Sequence, residues 1–327
     1  MNKIKNSKIL VIGGAGFIGS FVVSELLKEE ISEVTIYDNF ARGKINYLSE
    51  QLKDPRCKLF QFGGDIRETD ILNDAMKGID YVISLAAMWL LHCKDYPRTA
   101  FDVNIAGTFN ILEACVNNNV KKLIWSSSAS VYGDAVELPM TENHPFNNKN
   151  FYGASKIAGE AMATAFNDRY GLEVIGLRYM NVYGPHQDQT AAYTGVVPIM
   201  LNKIKANEAP TINGDGSQAY DFIYVEDVAR CNIAALKSDT GFGMYNVGTE
   251  IQTSIKELCE LILELKSSDL KVKYNPYSDD DARSMVKNRI GSRKKAEEEL
   301  NFKYKYSLND GLLKLIDWRI RTGFDEK

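Results

Sequence analysis

Short, nearly continuous apolar runs recur along the first half of the chain, each followed by a stretch of helical periodicity. KILVIGG (8–14), VTIYD (34–38), CKLFQFG (57–63), YVISLAA (81–87), KLIWSSS (122–128) and LEVIGLRY (172–179) form the series. A strand that faces water on one side alternates apolar with polar, and these do not. They must be covered on both faces, as strands of a parallel sheet are when crossover helices pack above and below. Right-handed crossovers then predict an α/β fold with a doubly wound parallel sheet. After about residue 180 the texture turns to Gly/Asp-rich loops such as NGDGSQAYDF. The expected division is a first domain of 1–179 and 223–249, and a smaller, mostly C-terminal α/β substrate-binding region of 180–222 and 250–327.

Composition removes several function classes. A net charge of −4 gives no global attraction to nucleic acid or an anionic membrane. The five cysteines form no CxxC and the three histidines are scattered, so no disulfide framework, zinc site or other metal site is expected. No apolar stretch approaches the ~18 residues of a membrane span, and the start carries no signal-peptide core, so a cytoplasmic protein is expected.

The first run opens directly into Gly13-Gly14-Ala15-Gly16-Phe17-Ile18-Gly19 and then a helix. Glycines at this spacing let backbone approach a pyrophosphate, whose charge meets the free N–H groups and positive dipole of the helix N-terminus. Asp38 ends the second run, where it can accept hydrogen bonds from an adenosine ribose and repel a 2′-phosphate. That favours NAD over NADP. Asp65, after the third run, can hold an adenine amino group. Leu85-Ala86-Ala87 offers small side chains where the chain must lie close to a flat cofactor.

Tyr152 and Lys156 stand one helical turn apart in FYGASKIAGEAM, and Ser128 ends the strand KLIWSSS upstream. A phenol is a poor base at neutral pH. Bringing its pKa from about 10 to about 7 requires about 4 kcal/mol of differential stabilisation, which a neighbouring ammonium and a positively charged nicotinamide can supply. The phenolate then takes a sugar hydroxyl proton while hydride leaves the same carbon, with Ser128 bonded to the same oxygen.

The ordered blocks GGAGFIGS, YDNF, GGDIRE, LAA, VNIAGTFNILEAC, SSSASVYG, YGASK, RYMNVYGP, GDGSQ and YVEDVA run over nearly the whole chain. With them the chain resembles the extended short-chain dehydrogenase/reductases of the NAD-dependent epimerase/dehydratase family, and is most similar to their nucleotide-sugar 4-epimerases. The resemblance implies a Rossmann fold and a Ser128, Tyr152, Lys156 triad. It further implies cofactor contacts from Gly13, Gly16, Phe17, Ile18, Asp38, Asn39, Asp65, Ile66, Ala86, Asn104, Ser126, Tyr179 and Met180. Asn181 matches a substrate-binding asparagine, Val196 falls near the nucleotide base, and homodimers built on the helices around 98–118 and 152–170 are implied.

Departures from the family sharpen this reading. Related 4,6-dehydratases carry an Asp-Glu pair after their active-site Thr. Here Ala129 and Ser130 stand there, so dehydratase chemistry is disfavoured. Tyr220 occupies the place of an arginine that clamps a diphosphate, which leaves Arg289 and Arg283 as candidate replacements. A UDP- or GDP-sugar epimerase acting at C4 is therefore the leading expectation. A net nucleotide-sugar dehydrogenase or keto-sugar reductase uses the same residues and stays open at this stage, and a non-enzymatic NAD sensor would be expected to lack the intact Tyr/Lys pair. Met88-Trp89-Leu90-Leu91 either lines the sugar pocket or fills core, and His186 is a candidate substrate contact.

Overall fold

The computed structural model describes residues 3–189, 195–276 and 286–325. Six of its strands are β1 (Lys8–Ile12), β2 (Glu33–Tyr37), β3 (Cys57–Leu59), β4 (Tyr81–Ser84), β5 (Lys122–Ser128) and β6 (Glu173–Tyr179). With Phe242–Val247 they form a seven-stranded sheet in the order Phe242–Val247, β6, β5, β4, β1, β2, β3. Every pairing in it is parallel. The strands are near-continuously apolar because helices cover both faces. One core joins Ile9, Val11, Ile83 and Ile124 to the first helix (Phe17–Leu26) and the helix Val225–Lys237. The other joins Leu10, Ile12, Val82 and Leu123 to Ile111, Leu112 and Phe166 on the opposite side.

The order of strands reverses at β1, which lies between β2 and β4. In open α/β sheets, ligands bind in the crevice beyond the carboxyl ends of the strands at such a point. The glycine loop after β1 and Leu85-Ala86-Ala87 after β4 therefore flank that crevice. Gly13 makes the approach possible. It sits at φ 78, and a Cβ there would lie 2.8 Å from the Ala86 nitrogen.

Two local readings change. The third run was expected to extend to residue 63, but β3 stops at Leu59, and Gly63 and Gly64 beyond it adopt positive φ of 81 and 151. The long helix near 98–118 forms, yet its Phe101–Ala106 segment is a π-helix between the α-helical Pro97–Ala100 and Gly107–Asn117. Beyond β6, Asn181–Tyr183 pairs in parallel with Phe222–Tyr224, apart from the main sheet. A separate core collects Tyr183, Leu201, Tyr224, Leu258, Ile262 and Leu315.

Candidate active site

Parallel pairing places Ser128, the last residue of β5, opposite Tyr179 at the end of β6. The helix Phe151–Tyr170 lies across this edge, its first turn capped by the Asn150 side chain, which accepts from the Gly153 N–H at 2.8 Å. That start brings the Tyr152 side chain beside Ser128, and both line one cleft. One turn on, Lys156 is 3% exposed, donates from Nζ to the Ser126 carbonyl at 2.6 Å, and stands 5.7 Å over the Tyr152 ring. Ser126 thus holds the lysine through its backbone.

Burial governs the charges here. It pushes the Tyr152 phenol up to about 12, and the Ser128 hydrogen bond and the Arg289 guanidinium only partly oppose it. Burial also pushes the Lys156 ammonium down to about 8. The phenolate therefore requires a larger opposing field than the free side chain would, and one of the three Lys156 N–H donors is taken by the Ser126 carbonyl.

Ser128 and Tyr152 open into a cleft of about 480 Å³. Gly13, Gly16, Phe17, Ile18, Gly19, Leu85, Ala87, Met180, Asn181, Val196 and Arg289 all line it. These expected contacts meet in one place. Trp89 and Leu90 line the cleft as well.

The glycine end fits a dinucleotide. No side chain caps the first helix at Gly16, and a Cβ on Gly19 would lie 2.1 Å from the Gly13 carbonyl oxygen. Asp38, 9% exposed, accepts from the Ala15 N–H at 2.9 Å and the Phe40 N–H at 2.8 Å, which ties the β2 end to the glycine loop. Burial raises its pKa against those two bonds. Exposed Asn39 accepts from the Ala41 N–H, and Asp65 pairs with Arg67 at 2.6 Å. Ile66 is buried against Gly107.

Two expected contacts sit behind the cleft rather than in it. The Asn104 amide accepts from the Met88 N–H at 2.7 Å and donates to the Met88 carbonyl at 2.8 Å, so it clamps the loop carrying Ala86 and Ala87. The Tyr179 hydroxyl is held in the core by Asn232 at 2.9 Å. His186 lines the cleft, but its ring stacks on Tyr47 at 4.1 Å and bonds Ser20 at 2.8 Å, and burial pushes it down to about 4. It is a neutral packing group joining the two halves.

Tyr220 turns its hydroxyl to the Val286 carbonyl at 2.7 Å. Arg289 lies opposite it across a parallel strand pair. Its Nε is buried with no hydrogen-bond partner, and burial lowers its pKa. An unpartnered guanidinium N–H in a cleft wall has the chemistry to receive an anion, a cation that Tyr220 lacks. Arg289→Ala should weaken UDP binding by about 1.5–3 kcal/mol, the worth of a charged hydrogen bond, and calorimetry on the folded variant reads it directly. Arg283 lies outside the described residues.

Sequence reading passed over Arg42, Lys44, Tyr47 and Asp188, which line the same cleft. Asp188 is the sole carboxylate among the described lining residues and stands 3.7 Å from Arg42. Ala129 is buried, and Ser130 donates its N–H to the Ser128 oxygen at 3.1 Å. Carboxyl acid–base chemistry beside Ser128 thus has no group to perform it among these residues.

The NAD dependent epimerase/dehydratase family matches residues 9–248. A putative UDP-glucose 4-epimerase of Methanocaldococcus jannaschii is 36% identical over 313 residues, which is 95% of this chain and 97% of that protein. Among solved structures, the UDP-N-acetylglucosamine 4-epimerase of Methanobrevibacter ruminantium, in complex with UDP-N-acetylmuramic acid, superposes with a TM-score of 0.90 at 32% identity. It covers 97% of this chain and 99% of its own. The UDP-glucose 4-epimerase of Thermotoga maritima, with UDP-glucose, gives 0.87 at 32% identity over 96% and 99%. The chain belongs to the NAD-dependent epimerase/dehydratase family.

Proposed function

We propose that the chain is an NAD-dependent UDP-sugar epimerase that inverts the configuration at C4 through a transient 4-keto sugar. The observation that carries this reading is the Ser128–Tyr152 pair, backed by buried Lys156, in a cleft shared by the glycine loop and Arg289. NAD, when bound, supplies a hydride acceptor that returns the hydride and, while oxidised, a positive charge. Gly13, Gly16, Gly19 and Asp38 would hold it. Tyr152 takes the proton of the 4-hydroxyl and later gives it back. Ser128 hydrogen-bonds the same oxygen, and Lys156 keeps the tyrosine helix registered on β5. Asn181 and Val196 bound the sugar-nucleotide end, and Arg289 meets the diphosphate.

On this reading residues 1–179 with 223–249 bind the cofactor, and 180–222 with 250–327 bind the nucleotide sugar. The described residues contain no helix long and apolar enough to cross a membrane, and the enzyme acts in the cytoplasm. Phe101, Phe109 and Tyr170 are 48%, 43% and 55% exposed on the helical segments near 98–118 and 152–170, which suits a homodimer packed through those faces. The test is incubation with UDP-glucose and no added cofactor. Appearance of UDP-galactose by NMR, without accumulation of NADH, is the expected result. Stoichiometric NADH and a stable keto sugar would contradict it.

A further inference from the structure

Far from the Ser128–Tyr152 pair, a charged network is buried against the back of the substrate end of the cleft. Arg319, in the helix Leu308–Arg321, is fully buried. Its guanidinium is bidentate on Asp325, with Nε to Oδ2 at 3.0 Å and Nη2 to Oδ1 at 2.7 Å. The remaining donors reach forward. Nη1 donates to the Gln189 side-chain oxygen, and Nη2 to that of Asn202 at 2.8 Å, on the helix that Val196 opens. Gln189 in turn donates from Nε2 to the Gln187 carbonyl at 2.8 Å, and Gln187 lines the cleft.

The chain of contacts runs from Asp325 through Arg319 and Gln189 to the cleft wall. Asp325 is 6% exposed and lies beyond the end of the helix, where the Arg319 carbonyl accepts the Asp325 N–H at 3.0 Å. The Phe324 ring sits 4.5 Å from the guanidinium and closes it from water. A buried arginine is tolerable only while its counter-ion stays in place. Without Asp325 the guanidinium would lose its counter-ion, and with it the placement of the donors on which the side-chain oxygens of Gln189 and Asn202 depend.

We propose that Asp325 and Arg319 are positioning residues for substrate binding: together they latch the 187–189 segment and the helix Val196–Lys205 in the register that shapes the nucleotide-sugar end of the cleft. This rests on the epimerase reading for the identity of the substrate, but not for the coupling itself. Neither residue touches the reacting atoms, so the effect falls on KM and not on kcat.

The test compares Asp325→Ala and Asp325→Glu with Asp317→Asn, which removes an exposed ion pair to Arg321 on the same helix. All are measured at a temperature where circular dichroism shows each fully folded. Hydrogen exchange of residues 184–189 reports the coupling without substrate, and steady-state kinetics report its use. Asp325→Ala should speed that exchange and raise KM for the UDP-sugar about tenfold with kcat within about twofold, as expected when a binding element is displaced but the chemistry is not. Asp325→Glu should restore most of the KM, and Asp317→Asn should change neither. Unchanged exchange at 184–189, or a fall in kcat at constant KM, would overturn the proposal. Absence of turnover in the unsubstituted enzyme would instead count against the epimerase reading, and the exchange data would still decide the latch.

Discussion

Tyr152→Phe is expected to lower turnover by at least ~10²-fold, the range for losing a general base, with nucleotide-sugar binding near normal. Burial starts the phenol at about 12 and not at 10. Lowering it to about 7 corresponds to roughly 7 kcal/mol of differential stabilisation, against about 4 for an exposed tyrosine. The Lys156 ammonium, itself pushed down to about 8 and engaged with the Ser126 carbonyl, does not supply that alone. The Arg289 guanidinium and a positively charged cofactor are the further cations that would favour the phenolate. Steady-state kinetics on folded Tyr152→Phe check the claim, and a wild-type rate would remove the mechanism.

The second large effect is on stability. Arg178, on β6 beside Tyr179, is 4% exposed, and Glu160, one turn beyond Lys156, is 5% exposed. They form a bidentate pair at 2.8 and 2.7 Å. Ser127 donates to Glu160 at 2.5 Å, and Arg178 donates to the Tyr132 hydroxyl at 2.7 Å and the Glu142 carbonyl at 2.9 Å. Burial alone would lower the Arg178 pKa, but Glu160 and Tyr132 reverse this and the net direction is upward. The network joins the tyrosine helix to the strand that presents Ser128. Arg178→Met leaves Glu160 buried without a counter-ion and should cost about 3–5 kcal/mol in urea unfolding. Adding Glu160→Gln removes the stranded charge, so the double variant should be less destabilised than the sum of the two single ones. Simple additivity would show that the pair acts independently.

Several of these features were legible in the sequence, for specific reasons. The sheet was readable because strands buried on both faces have no alternation to confuse with helix, and the glycine loop because backbone contact leaves a spacing rule. Ser128, Tyr152 and Lys156 were readable because strand end and helix turn fix their relative positions. Asn104 was legible only as a family position. Its role depends on a π-helical segment, which no periodicity marks, that turns its amide onto Met88. β3 ended early, and the positive φ that Gly63 and Gly64 take beyond it is a choice that composition permits but does not dictate. Nothing in the sequence singled out Arg319, because its partners Gln189, Asn202 and Asp325 come from separate segments. Tyr220 and Arg289 were singled out from the resemblance, while the strand pairing that sets them opposite each other is something spacing cannot reveal.

In the proposed reaction one cleft removes and returns the same hydrogen at C4, and Ala129 and Ser130 beside Ser128 offer no carboxyl to exchange hydrogens elsewhere. UDP-glucose deuterated at C4, incubated with the enzyme in ordinary water, should give UDP-galactose that keeps its label at C4. An unlabelled run in D₂O should incorporate no carbon-bound deuterium. Deuterium entering C5 or C6, or label lost from C4 onto released NADH, would contradict the account.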